Sequence, residues 1–314
     1  MSTSLDHDST TDMVLGDRDL SGLNVLITGT SAGLGVETAR ALVVRGANVM
    51  GVVRDIEKAR HNLDEAGAPG VTLYQADLAS LGSIRGFATT FSAEGPDRID
   101  VLIANAGIMA CPEGRTTDGF ELQFGTNHLG HFLLVNRLMP LLKTGPPGRV
   151  VVLSSAGHRF SDVSLEDPGF ERTPYDAWVA YGRAKTANVL FAVELDRRYR
   201  GQGVRATAVH PGGILTELGR HLTDETFGAL IAARGDREMT FKTVPQGAAT
   251  TVWTGFVATG EEVGGRYCED CAVAPEIDDP VESPGVMRYA LDPSTARDLW
   301  TLSEHLVGEE FPAP

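Results

Sequence analysis

The chain has 314 residues, 42% of them hydrophobic, with 36 glycines and 16 prolines, which suits a large buried core and excludes a largely disordered chain. Lys and Arg number 27 against 42 Asp and Glu, a net charge of −15, so the surface as a whole repels a phosphate backbone and nucleic-acid binding is not expected. The opening MSTSLDHDSTTDM lacks the basic and apolar parts of a signal peptide, and runs such as Val49–Val53 and Val150–Leu153 are too short for a membrane span, which together point to a cytoplasmic protein.

Residues 1–20 carry Ser, Thr and Asp without apolar periodicity and read as a disordered tail. From there, short β-branched runs alternate with helical stretches. Leu23–Thr28, Ala47–Val53, Val71–Gln75, Ile99–Ala104, Arg149–Ser154 and Val204–Val209 read as parallel strands covered on both faces. Gly33–Arg45, Leu78–Phe91, Thr116–Leu142 and Trp178–Tyr199 carry apolar residues at helical spacing. This alternation predicts an α/β fold, a doubly wound parallel sheet of about seven strands with helices on both faces, in one domain over residues 21–314. Past residue 210 the rhythm changes. Pro245–Val257 reads as a helix, Gly265–Tyr267 as a last short strand, 275–285 as an acidic loop, and Leu291–Val307 as a terminal helix with Pro293 in its first turn. Residues 272–314 form a C-terminal extension. Cys111 stands alone and Cys268 with Cys271 makes a single C-x-x-C, too few ligands for a zinc site; no metal is expected and the thiols read as ordinary core or loop residues.

The first strand runs into Gly29-Thr30-Ser31-Ala32-Gly33-Leu34-Gly35 and then directly into a helix. Glycines here permit a tight turn and a close backbone approach to a pyrophosphate, while the helix N-terminus offers free amides and a positive dipole end. The spacing is G-x3-G-x-G, so a plain glycine-rich turn is the alternative to a nucleotide site. At the end of the second strand stands Arg54, whose guanidinium suits a 2′-phosphate, followed by Asp55, which suits a ribose hydroxyl or a partner for Arg54. NADP(H) is therefore favoured and NAD(H) remains open.

Tyr181 and Lys185 stand one helical turn apart on one face, where an ammonium can stabilise a phenolate and make tyrosine a usable acid or base. Ser155 follows the fifth strand and Asn105-Ala106-Gly107 the fourth, at the carboxyl ends where open α/β sheets bind ligands. In combination, TGTSAGLG (28–35), NAG (105–107), SSAG (154–157) and YGRAK (181–185), in that order, resemble the short-chain dehydrogenase/reductase family over residues 20–270. NHLGHFLL and VHPGGILTEL are similar to its retinol-dehydrogenase and WW-domain-oxidoreductase-like branch. The resemblance implies that Tyr181 is the general acid/base, that Ser155 holds the reacting oxygen, that Lys185 lowers the tyrosine pKa and holds the nicotinamide ribose, and that Asn127 anchors a water relay. It also implies that Asp77 and Leu78 lie along the adenine side, and Pro211, Gly212, Ile214 and Thr216 along the nicotinamide and phosphate side. It further implies a substrate lid over 213–244, where Leu218, Leu222, Phe227, Leu230 and Ile231 either present an apolar face to a ligand or pack on the sheet, and homo-oligomers formed through the long helices at 116–142 and 178–199.

Three features depart from compact family members. Twenty-five residues separate Ser155 from Tyr181, Ala184 precedes the lysine where serine is common, and Gly213 extends the Pro-Gly turn. His158 and His210 read as packing or substrate contacts beside a complete Tyr/Lys/Ser/Asn set. The activity expected is hydride transfer between NADP(H) and the carbonyl or alcohol carbon of an apolar or bulky small molecule. A sugar-nucleotide epimerase or dehydratase, or a non-catalytic dinucleotide-binding regulator, are the alternatives.

Overall fold

The computed structural model describes residues 5–144, 147–222, 228, 241–281 and 284–312. Strands β1 (Asn24–Thr28), β2 (Asn48–Val53), β3 (Thr72–Gln75), β4 (Val101–Ala104), β5 (Gly148–Leu153), β6 (Val204–Val209), β7 (Tyr267–Glu269) and β8 (Ala272–Val273) form one sheet in the order β3-β2-β1-β4-β5-β6-β7-β8. All pairs are parallel except β7–β8. Successive side chains point to opposite faces, so Leu26, Leu102, Val150 and Val152 enter one core while Val25, Ile27, Val101 and Val151 enter the other. Strand order reverses between β1 and β4, which opens a crevice at their carboxyl ends.

Helices α2 (Gly33–Val43) and α3 (Ile56–Glu65) follow β1 and β2, and α4 (Leu81–Glu94) follows β3. The expected single helix over 116–142 is three pieces: α5 (Leu122–Phe124), a π-turn at Gly125–Leu129, and α6 (Gly130–Leu142). Glu121 sets the start by accepting from the amides of Gln123 and Phe124, at 2.9 and 2.6 Å. Helix α7 (Ala177–Tyr199) carries the Tyr181–Lys185 pair and is capped by Asp176. Helix α8 (Val244–Phe256) has a reciprocal Thr243–Gln246 capping box. Helix α3 escapes a pattern search because only Ala59 and Leu63 are buried on it.

The sheet has eight strands rather than about seven. The extra strand is an edge hairpin whose two turn residues, Asp270 and Cys271, both have positive φ, at 52° and 56°. The C-x-x-C spacing thus spans a tight turn, with Cys268 and Cys271 both buried as free thiols. Burial pushes both thiols up, Cys271 to about 11. Among the described residues no cluster of three metal-ligating side chains occurs, and no helix is long and apolar enough to cross a membrane.

Residues 5–20, expected as a disordered tail, are folded. Thr10 caps a short helix α1 (Thr11–Leu15), and Val14, Leu15 and Leu20 join the core beneath α2 and α8. Asp12 pairs with Arg40 and Arg45 of the α2 region, each at 3.0 Å, and Thr11 donates to the buried Glu37. The tail escapes notice because its three anchors are too few to show a period. At the other end, α9 (Gly260–Val263) leads into β7, β9 (Glu276–Ile277) and β10 (Val286–Met287) pair in parallel, and α10 (Pro293–Val307) lies across α6 and α7. Trp300 meets Phe132 and Phe191 at ring separations of 5.0 and 5.9 Å, and Glu309 pairs with Arg85 and Arg137. Helix α10 thus packs on parts of the two long helices.

Leu15 is only 1% exposed. Leu15→Ala is expected to destabilise the protein by about 2–5 kcal/mol in urea denaturation; a wild-type midpoint would mean that the N-terminal segment contributes nothing to the core.

Candidate active site

The glycine loop is shaped by crowding. Gly29 and Gly33 have φ of 77° and 55°, where a side chain is strained. A Cβ on Gly35 would stand 2.1 Å from the Gly29 carbonyl oxygen, and one on Gly29 would stand 2.9 Å from Ala106. Asn105 clamps the turn by donating to the carbonyls of Thr28 and Gly29, at 2.8 and 3.3 Å. Asn62 of α3 adds a third hold, donating to the Ser31 carbonyl at 2.7 Å. The loop then opens α2 from Ala32, which makes no side-chain cap, whereas Asp55, Ser80, Asp176, Thr243 and Asp292 cap α3, α4, α7, α8 and α10. Bare amides at a helix start, behind glycines that admit no side chain, suit a pyrophosphate. The Thr30 hydroxyl is buried, has no hydrogen-bond partner among the described residues, and packs toward Gly51. Leu34 packs near Gly247, beside Ile214.

The flanking positions divide. Arg54 is exposed at the end of β2, and among the described residues its side chain makes no ion pair. Asp55 caps α3 by accepting from the Lys58 amide at 2.9 Å, which occupies one carboxylate oxygen. Asp77 is half-buried and accepts from the Ala79 amide at 2.9 Å; the adjacent Leu78 is buried and its carbonyl leaves no room for a Cβ on Gly130. Thr216 stands 3.3 Å from where a Gly33 Cβ would lie, so the segment after β6 meets the glycine loop. Gly212, with φ of 95°, turns the chain against Lys242 after Pro211, and Ile214 bridges to Lys242. Most of the expected lid, including Phe227, Leu230 and Ile231, lies outside the described residues.

The four chemical candidates converge beyond the ends of β4 and β5. Ser155 Oγ accepts from the Gly157 amide at 3.0 Å and hydrogen-bonds the Tyr181 phenol. Gly157 is essential to that contact, because a Cβ there would stand 2.6 Å from the Tyr181 ring. Burial pushes the phenol up to about 12, and the Ser155 hydrogen bond opposes it. Lys185 Nζ lies 5.6 Å from the Tyr181 ring centre and donates to the Leu153 carbonyl at 3.0 Å. Burial brings the ammonium down to about 8. Desolvation, rather than the lysine charge, thus dominates the tyrosine. Gly107 brings the turn after β4 close to Lys185 Nζ and Asn127 Oδ1, which would stand 3.7 and 3.1 Å from a Cβ there. The Asn127 amide accepts from Ile108 N and donates to Ile108 O, both at 2.9 Å.

The long segment between Ser155 and Tyr181 is latched at both ends. Tyr175 donates to the Cys111 carbonyl at 2.9 Å and accepts from Gln123 at 3.0 Å. Asp167 accepts from the amides of Glu171, Arg172 and Thr173. His158 Nδ1 meets the Ser155 carbonyl at 2.7 Å and its Nε2 accepts from Met287 N at 3.1 Å; His210 Nδ1 accepts from Ala156 N at 3.2 Å. Both histidines therefore hold backbone around Ser155. Sequence reasoning missed Gly157, Gln123, Thr28 and His131, although Gly157 stands inside the SSAG motif.

The short chain dehydrogenase family profile matches residues 23–226. The chain belongs to the short-chain dehydrogenase/reductase family. It is 40% identical over 308 residues to retinol dehydrogenase 14 of Mus musculus, covering 92% of this chain and 87% of that protein. A crystal structure of an uncharacterized protein from Mycobacterium paratuberculosis superposes with a TM-score of 0.74 at 36% identity, over 95% of this chain and 98% of the other. The Pseudomonas aeruginosa RhlG/NADP active-site complex superposes with a TM-score of 0.61 at 25% identity, over 79% and 94%.

Two glycines separate the two halves of this site. Gly35→Ala is expected to weaken nicotinamide-cofactor binding by about tenfold or more through loop strain. Gly157→Ala is expected to leave cofactor binding intact and lower turnover by about 10²-fold, since it displaces the phenol. Titration of cofactor fluorescence beside steady-state kinetics checks the split; equal effects of both variants on binding would refute it.

Proposed function

We propose that this short-chain dehydrogenase/reductase interconverts a carbonyl and an alcohol with NADP(H), on an apolar or bulky small molecule. The observation that carries the reading is the convergence of Ser155, Tyr181, Lys185 and Asn127 beside an uncapped, glycine-walled helix start. A nicotinamide bound there supplies the hydride chemistry that no side chain can. The Tyr181 phenol is protonated at neutral pH, which suits donation of its proton to the oxygen of a carbonyl undergoing reduction. Ser155 orients that oxygen and, by its hydrogen bond, steadies the phenolate left behind. Lys185 supplies a nearby positive charge and the route by which the phenolate regains a proton, past Asn127.

Arg54, exposed and without an ion pair among the described residues, supports a 2′-phosphate, while Asp55 is already engaged as a cap. The NADP complex of the Pseudomonas relative supports the same choice. An apolar substrate is supported by an aromatic ladder leading out from the phenol: Trp178 lies 6.2 Å from Tyr181, and Phe160 lies 5.4 Å from Trp178. Phe160 is 36% exposed, and Leu215 and Phe241, beside the Ile214–Lys242 bridge, are 72% and 43% exposed. Apolar side chains left in water around a site favour an apolar ligand.

The test is NADPH consumption by the purified protein across aldehydes and ketones from small to steroid-sized, with NADH alongside. Turnover is expected to fall by about 10²-fold or more in Tyr181→Phe, and Arg54→Ala is expected to raise the KM for NADPH about tenfold while sparing NADH. The rate of reduction is expected to decline above about pH 8, because Lys185, with its pKa lowered by burial, loses its charge there. Equal activity of the Tyr181→Phe variant would overturn the mechanism.

A further inference from the structure

We propose that His131 is a positioning residue that ties the glycine loop to the proton-handling side of the site; this rests on the oxidoreductase reading above. Thr28 ends β1 directly ahead of the loop. Its Oγ1 accepts from the amides of Asn105, at 2.9 Å, and Ala106, at 3.0 Å. With both lone pairs engaged, its own proton is left for the remaining neighbour, Nε2 of His131, 2.9 Å away. Nε2 is therefore an acceptor, the ring proton sits on Nδ1, and Nδ1 donates to the Asn127 carbonyl at 2.9 Å.

The ring is wholly buried, and burial together with the charge of Lys185 brings its pKa down to about 4. It therefore keeps this neutral tautomer across the working pH range and does not itself exchange protons with substrate. On the reading above the proton route from Lys185 runs past Asn127, whose side-chain amide is spent on Ile108 and whose carbonyl is held by His131. That carbonyl belongs to a π-turn, a geometry that regular helical bonding does not enforce. His131 aims it. The resulting chain of contacts, from Asn105 and Ala106 through Thr28 and His131 to Asn127, spans β4, β1 and the π-turn, so a shift of the cofactor loop displaces the Asn127 carbonyl.

The two halves of this strut can be cut separately. In the same helix Asn136 donates its side-chain amide to the carbonyl four residues back, at 2.9 Å from Phe132 O. His131→Asn can make the same bond to Asn127 and is too short to reach Thr28. His131→Leu breaks both contacts of the ring, and Thr28→Val breaks the far one together with the two bonds that Thr28 accepts from the Asn105 and Ala106 amides, while leaving the His131–Asn127 contact in place. NADPH binding is read by fluorescence titration, turnover by steady-state kinetics, and folding by thermal melting.

His131→Leu is expected to lose about tenfold or more in both NADPH affinity and turnover number, whereas His131→Asn regains turnover but not affinity. Thr28→Val is expected to lose affinity, and the Thr28→Val/His131→Leu pair is expected to lose no more affinity than the worse single variant, since both cut one strut. Wild-type affinity and turnover in His131→Leu would overturn the proposal, as would affinity losses that multiply in the pair. If His131→Leu fails to fold, His131→Asn decides alone: selective loss of affinity supports the strut, and loss of both or of neither overturns it. If the unmodified protein binds neither NADPH nor NADH, the oxidoreductase reading falls and takes this role with it; binding and turnover indifferent to His131 sink the role alone.

Discussion

The closeness of two strand ends governs this molecule. At the carboxyl edges of β1 and β4 the backbone of Gly29 approaches Ala106 so nearly that a single added methyl would collide with it. The Thr28 hydroxyl and the Asn105 amide occupy what space remains, converting the crowding into a set of directed hydrogen bonds. Glycine at 29 and 35 is thus a steric requirement, and α2 starts at Ala32 without a side-chain cap among the described residues. Everything chemical in the site is hung from this junction: the turn after β4 reaches Lys185 and Asn127, and the π-turn brings the Asn127 carbonyl back to it.

Burial sets the electrostatics. Tyr181 and Lys185 are both removed from water, and desolvation opposes the charged form of each, lifting the phenol and depressing the ammonium. Both groups are biased toward their neutral forms, so a phenolate at Tyr181 holds a proton more strongly than Lys185 does. Backbone carbonyls hold two neighbouring side chains: Ser154 donates to the Lys185 carbonyl at 2.8 Å, and Asn188 to that of Leu153 at 3.0 Å. The long insertion contributes the rings of Phe160 and Trp178 and two half-buried latches at Tyr175.

Much of this was readable along the chain. The six main strands and the order of the Gly29–Gly35, Asn105–Gly107, Ser155 and Tyr181–Lys185 signals follow from period, from glycine placement and from hydroxyls at strand ends, all local properties. What escaped had no local signature. The N-terminal segment is held by Val14, Leu15 and Leu20, too few to repeat, and by charges that find Arg40 and Arg45 only in three dimensions. Helix α3 is nearly all exposed, and β8 exists because two non-glycine residues accept positive φ in a hairpin turn. Nor does local pattern reveal that Trp300 and Phe311 lie against Phe132.

The sequence by itself determined the alternation of strand and helix, the glycine loop and the identity of the four chemical side chains, because backbone conformation and residue chemistry act over a few neighbouring positions. Only the tertiary structure decided which amides remain uncapped, how far Tyr181 and Lys185 are desolvated, and that His131 joins Thr28 to Asn127. Those are properties of groups 103 residues apart in sequence at the widest of these contacts, between Thr28 and His131, and they exist only when packing excludes water from between them.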